Sequence, residues 1–243
     1  MSVAPIPFLA DLAARTTRIK FATPVLALPG WDPIRLAEEI AMLDHLSRGR
    51  FIAGIGRGYQ DRWIKVLGQH YGVAGATSDG SAKDRHNRAV FAEMYAIMKM
   101  AWTEDAISHQ SKYYQIPAPS AEGIRDWPVA KTRTARYGAP GEVDADGVLR
   151  KICVVPKPYT QPHPPLWQAF SGSDDTIEGC AREDLLCWSL ASEPSTFRGL
   201  CTAYQAASAK HGRPRALGEN FGAFRMVYIG DTYEEAFKLG AAA

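Results

Sequence analysis

The chain has 243 residues, 46% hydrophobic and 22% charged, enough for one large domain or two small ones with a sizeable core. Its formal charge is +2, with 28 Lys and Arg scattered among 26 Asp and Glu, so there is no basic footprint for nucleic acid and any phosphate must be held locally. The N-terminal run has neither the pattern of a signal peptide nor an apolar span of about 20 residues, so no membrane partner is expected and a cytoplasmic protein is the default.

Residues 18–28 read as an apolar strand that Pro24 interrupts near its end, preceded by a helix in which Phe8, Leu9, Leu12 and Ala13 share a face. Asp32 and Pro33 then supply a cap and a first-turn proline for a helix whose Leu36, Ile40, Leu43 and Leu46 recur at helical spacing until Arg48 and Gly49 stop it. Phe51 to Gly56 follows as a near-continuous apolar strand, as expected for a parallel strand buried on both faces. A helix from about Lys83 to Trp102 carries Val90, Met94, Ile97, Met98 and Ala101 on its apolar face, and the pattern then dissolves over residues 103–164.

Order returns with a strand at Pro165 to Phe170, a helix at Asp174–Glu183, a strand at Leu185 to Leu190, a helix near Thr196 to His211 and a strand at Ala223 to Ile229. A last helix begins at Asp231. This alternation, with at least five strands and no hairpin signal, predicts an α/β protein with a parallel sheet. The cysteines Cys153, Cys180, Cys187 and Cys201 form no CxxC pair and the histidines no HxxxH pair, so reduced thiols and no metal site are expected.

Gly54-Ile-Gly56-Arg57-Gly58 at the end of a strand invites a dinucleotide or S-adenosylmethionine reading, but the spacing is GxGxG rather than GxGxxG, and no acid-ended strand follows. Arg57 carries more chemistry than the glycines. A guanidinium leaving a strand end between two glycines can offer paired donors to a phosphate, and its bland alternative is a surface salt bridge.

The runs Ala13 to Pro29 and Leu36 to Tyr59, followed by Gln161 to Thr176 and Val227 to Ala236, resemble the luciferase-like flavin-dependent monooxygenase family, typified by bacterial luciferase alpha chains and alkanesulfonate monooxygenases. The resemblance covers most of the chain outside roughly residues 111–160. It implies an incomplete (β/α)8 TIM barrel with strands three to seven represented and the first two and the last missing. That would be one partial domain over 1–243 with an insertion or lid at about 103–164.

Carried over by position, the resemblance makes Arg57 a contact of the flavin phosphate, brings the backbone at Gly58 and Tyr59 to the cofactor, and sets Pro24 and Val25 at a bulged strand end against the isoalloxazine ring. Thr176 becomes the phosphate-binding threonine, with Ser171 or Ser173 as its serine partner; the alternative for Ser173 and Thr176 is simple capping of the helix at Asp174. Asp32 stands where luciferases carry a histidine. Catalytic residues stay unassigned, because the family's substrate-side groups lie largely on the first two strands.

The implied activity is an oxidoreductase in which reduced FMN and O2 oxygenate a small organic substrate, with a separate flavin reductase and a homo-oligomer when full length as further expectations. The alternatives are an F420-dependent hydride-transfer enzyme of the same fold and a non-catalytic flavin-binding protein. His45 is expected to face solvent, His70 and Tyr71 to line the mouth, and Trp127, Arg133, Arg136 and Tyr137 to meet substrate from the insertion or lie on its surface. The chain is expected to be a fragment that exposes sheet edges and binds flavin poorly alone.

Overall fold

The computed structural model describes residues 4–169 and 172–242, and its contacts divide the chain into two units, Met1–Trp167 and Gln168–Ala243.

In the first unit, α1 (Pro5–Arg15) packs on α2 (Pro33–Ser47) with Ile6, Leu9 and Ala13 buried. Phe8, expected on that face, is instead exposed and Leu12 only half-buried, because the buried stripe follows positions 6, 9 and 13. The strand expected over 18–28 is two short pieces, β1 (Phe21–Ala22) and β2 (Leu26–Ala27). Both run parallel to β3 (Phe51–Gly56), pairing Phe21 with Phe51 and Leu26 with Ile55. Five residues on one side therefore match four on the other, a one-residue bulge centred on Thr23, Pro24 and Val25. Pro24 has no N–H to give a ladder, which is why the break falls here.

Between β2 and β3 lies α2 (Pro33–Ser47), capped as expected: Asp32 Oδ1 accepts from the N–H groups of Ile34 at 3.0 Å and Arg35 at 2.9 Å. It ends at Arg48, in the left-handed region at φ 55°, followed by Gly49. Leu36, Ile40 and Leu43 are fully buried, each contributing about 1.5–3 kcal/mol. Leu46 is 53% exposed, a departure from the expected stripe: the inner face continues instead through Asp44 and Ser47. Asp44 is accommodated there because it accepts from the Thr160 N–H at 2.6 Å and the Thr160 hydroxyl at 3.1 Å.

After β3 come a helix not anticipated from the sequence, α3 (Asp61–Leu67), and the long α4 (Ala82–Thr103), whose Trp102 indole donates to the Ala37 carbonyl of α2 at 3.0 Å. Residues 104–164 are ordered by pairings that left no periodic signature. β4 (His109–Gln110) and β5 (Gln115–Ile116) form an antiparallel hairpin, contrary to the expectation of none, and isolated bridges join Ile107 to Ile152 and Leu149 to both Ile124 and Val143. A short helical turn, α5 (Ala135–Tyr137), follows a π turn at Ala130–Thr134. β6 (Leu166–Gln168) lies beside β3, with the Ala53 N–H donating to the Pro165 carbonyl at 2.9 Å.

In the second unit, α6 (Asp174–Glu183) packs on α7 (Pro194–Lys210). α7 crosses over between β7 (Leu186–Ser189) and β8 (Phe221–Ala223), which pair in parallel from Cys187 with Phe221 to Ser189 with Ala223. Cys180, Cys187 and Cys201 are buried and Cys153 is half-buried. The strand expected over 223–229 sits two residues earlier and is shorter; Phe224 makes one last bond to Ser189, and Met226, Val227 and Ile229 beyond it are exposed. Their apolar character mimics a strand without a partner to complete the ladder. α8 (Tyr233–Ala241) is capped by the Thr232 hydroxyl and buries no residue.

Candidate functional site

The bulge between β1 and β2 is stitched to β3 by side chains. Thr23 is fully buried; its Oγ1 accepts from the Gly54 N–H at 2.9 Å and donates to the Gly54 carbonyl at 3.1 Å, while the Thr23 carbonyl accepts from the Trp167 indole at 2.9 Å. A Cβ at Gly54 would stand 2.0 Å from both the Thr23 carbonyl oxygen and Trp167 Nε1, and one at Gly56 would stand 2.5 Å from Val25 Cγ2. These two glycines are required by close packing of strand on strand. Pro24 is exposed, Val25 is half-buried with its side chain on Gly56, and the Thr23–Pro24 bond is trans.

Gly58 is the glycine that turns the chain: its φ is +76°, and a Cβ there would meet Ile64 Cδ1 at 2.2 Å. Its carbonyl accepts from the Ala76 N–H at 2.8 Å, while its own N–H meets no acceptor among the described residues. Tyr59 is exposed beside it, and its hydroxyl accepts from Gln60 Nε2 at 3.1 Å.

Arg57 is neither a free guanidinium nor a surface salt bridge. Its side chain is 9% exposed and its Nη1 donates to Asp84 Oδ1 at 2.5 Å across an Asp84 side chain only 2% exposed; Nη2 reaches the Ser78 hydroxyl at 3.5 Å. Of a guanidinium's five N–H donors, these contacts use two, leaving three. Asp84 Oδ2 accepts from Arg88 Nε at 3.1 Å and from the Gly80 N–H at 3.4 Å. Burial pushes the Asp84 carboxyl up, but the hydrogen bonds and charges of Arg57 and Arg88 outweigh it and hold the group below its ordinary value. Sequence reasoning missed Asp84. The available signal was its place three residues after Ser81, whose hydroxyl accepts from the Asp84 N–H at 3.1 Å and caps α4.

Asp32 serves as a cap and a tether: besides the α2 amides it accepts a hydrogen bond from the Tyr114 hydroxyl on Oδ2. Burial, then the hydrogen bond and charge of Asp32, push the Tyr114 hydroxyl up; burial and the charges of Asp32 and Glu93 do the same to Tyr71, which is half-buried. His70 is exposed. His86 links Tyr71 to the hairpin, with Nε2 at 2.8 Å from the Tyr71 carbonyl and Nδ1 at 3.1 Å from the Tyr113 hydroxyl. His45 is exposed as expected, 2.8 Å from the Lys157 carbonyl. Trp127, Arg133, Arg136 and Tyr137 are all exposed, Trp127 donating to the Thr134 hydroxyl at 2.9 Å.

In the second unit, Ser173 stands at the N-cap of α6, yet its side chain makes no capping bond; its Oγ donates to Thr176 Oγ1 at 2.9 Å. Thr176 is buried, so the pair presents two hydroxyl oxygens at the positive end of a helix, where Asp174 and Asp175 also occupy the first turn. Ser171 lies outside the described residues. Among the described residues no group of three His, Cys, Asp or Glu is arranged to hold a metal ion, and no helix is long and apolar enough to cross a membrane.

Parallel strands joined by helical crossovers, with a bulge before α2 and a glycine turn after β3, define an incomplete barrel of the (β/α)8 type. Over 99% of this chain the fold superposes, with a TM-score of 0.71 and 20% identity, on a type II Baeyer-Villiger monooxygenase, the oxygenating constituent of 3,6-diketocamphane monooxygenase from Pseudomonas putida, solved with FMN. It also superposes, with a TM-score of 0.64 and 14% identity over 98% of the chain, on the coenzyme F420 dependent tetrahydromethanopterin reductase of Methanopyrus kandleri. The luciferase-like monooxygenase family matches residues 2–239, and the chain belongs to that family. In sequence it is 31% identical over 171 residues, 69% of the chain, to the oxygenase component of the flavin-dependent trigonelline monooxygenase of Acinetobacter baylyi. The chain spans 35% of that relative and 57% and 58% of the two solved chains.

Proposed function

We propose that this chain carries the flavin-phosphate side of an FMN-dependent monooxygenase acting on a small organic substrate in the cytoplasm. The observation that carries the reading is Arg57 at the C-terminal end of β3, its side chain paired with the buried Asp84, in a chain whose family match runs over residues 2–239. In barrels of this type the C-terminal ends of the strands bear the chemistry.

The donor set suits a phosphate. In the first unit Arg57 keeps three N–H groups beyond its contacts with Asp84 and Ser78, and the Gly58 N–H has no acceptor among the described residues; in the second, taken by itself, the Thr176 hydroxyl, which accepts from Ser173, lies in the first turn of a helix. Ser171 belongs to the same proposed set by its sequence position. Pro24 and Val25, on the bulge, would pack against the isoalloxazine ring, and the Tyr59 backbone would border the cofactor.

Reduced FMN, when bound, supplies the activation of O2, and the protein supplies orientation and exclusion of water. That the trigonelline monooxygenase relative is an oxygenase component supports delivery of reduced flavin by a separate reductase. A homo-oligomer and a single barrel domain spanning both units complete the reading. Hydride transfer with F420 is the second reading, favoured by the likeness to the F420 dependent reductase.

The purified protein titrated with FMN, riboflavin and F420 decides between them. FMN bound at least tenfold more tightly than riboflavin or F420, with O2 consumption once reduced FMN and a substrate are supplied, is the expected result. Preference for F420 with an absorbance change and no O2 uptake overturns the monooxygenase reading, and equal affinity for FMN and riboflavin overturns the phosphate assignment. Flavin retention without turnover across a broad substrate panel would mark a flavin-binding protein instead.

A further inference from the structure

One buried carboxylate gathers two arginines from different elements. Asp84 Oδ1 accepts from Arg57 at the end of β3 and Oδ2 from Arg88 one turn along α4, while the Gly80 N–H closes the same carboxylate from the loop before the helix. Both guanidiniums are drawn toward a single point from which, without an anion, they would repel each other. Arg57 leaves a strand through a glycine turn, and Arg88, on α4, keeps its side chain 26% exposed.

We propose that Asp84 is a positioning residue for the phosphate group of the cofactor. It touches no ligand; its carboxylate fixes the direction of the Arg57 guanidinium so that N–H groups not used within the protein face the phosphate. This rests on the assignment of Arg57 to the flavin phosphate. It goes further by making the preference for a phosphorylated flavin depend on a buried acid, a residue type that on charge alone should repel the ligand. The relation is orientational: an aspartate held between two arginines loses little by sharing them, whereas an arginine without its anchor turns away from its like-charged neighbour.

The test compares FMN with riboflavin, which lacks the phosphate, on the purified protein by fluorescence quenching, with thermal melting to confirm folding. Asp84→Asn keeps the shape and loses the charge. It should lower the FMN-to-riboflavin affinity ratio about tenfold while riboflavin affinity stays within twofold, a split that a general loss of structure would not produce. Asp84→Glu, which keeps the charge but moves it by one methylene, should lower the ratio about threefold and decides the matter alone if the Asn variant does not fold. A ratio unchanged or raised in the folded variant overturns the positioning role. Arg57→Ala separates the two assignments: if it leaves the ratio unchanged, the flavin-phosphate reading itself fails, and if it lowers the ratio while the Asp84 variants do not, only the role of Asp84 fails.

Discussion

Thr23 bonds Gly54 through its side chain, its hydroxyl accepting from the Gly54 N–H at 2.9 Å and donating to the Gly54 carbonyl at 3.1 Å where the bulge has pulled the backbone ladder apart. A side chain thus completes the sheet at the point where β1 and β2 separate. The same threonine fixes Trp167 through its carbonyl, so one residue ties three barrel strands together.

Thr23→Val preserves the branched shape and removes both hydroxyl bonds, leaving a buried donor and a buried acceptor on Gly54 unpaired. A loss of about 2 kcal/mol is expected on the usual cost of stranded polar groups. Urea unfolding measures it; a loss under about 0.5 kcal/mol would mean that the backbone or water repairs the bulge unaided.

The glycines separate into those that packing requires and those it does not. Gly54→Ala drives a methyl to 2.0 Å from backbone and indole, so a destabilisation of about 1–3 kcal/mol is expected. Gly179, inside α6, has open space where a Cβ would stand, with no atom within 4 Å, and Gly179→Ala should stabilise by about 0.5–1 kcal/mol through helix propensity. Melting temperatures moving in the same direction for both variants would contradict this division.

How much of this was legible in the sequence follows from where the forces act. α2 could be read almost residue by residue, because Asp32, Pro33 and the Arg48-Gly49 stop act locally. Its one error, Leu46, arose where Asp44 is buried by a partner 116 positions away. The hairpin at 109–116 and the bridges around Leu149 are held by contacts remote from helix or strand periodicity, so the segment looked structureless. Arg57 stands out in the sequence by its position between two glycines at a strand end, but the carboxylate that holds it does not, since nothing in an Asp three residues after a capping serine says that it will be buried beneath an arginine from another element.

Asp84 also gives the stability a definite acid dependence. Its carboxyl titrates below its ordinary value in the folded state, so the folded form binds its proton less readily than the unfolded chain. The stabilisation is therefore complete above the unfolded value, near pH 4, and is lost as pH falls through the lower folded value. Urea unfolding of the parent and Asp84→Asn between pH 7 and pH 3 should show a gap that is constant above about pH 5 and narrows below pH 4. A gap that widens on acidification would contradict the assignment of the ion pair.

Whether Arg57 holds the phosphate of a flavin is measured most directly by the affinity of Arg57→Ala for FMN set against riboflavin. Losing its charge-assisted hydrogen bonds should weaken FMN by about 2 kcal/mol, roughly thirtyfold, and leave riboflavin unchanged. If the two flavins weaken equally, or FMN is unaffected, Arg57 is a structural partner of Asp84 and the phosphate is held elsewhere.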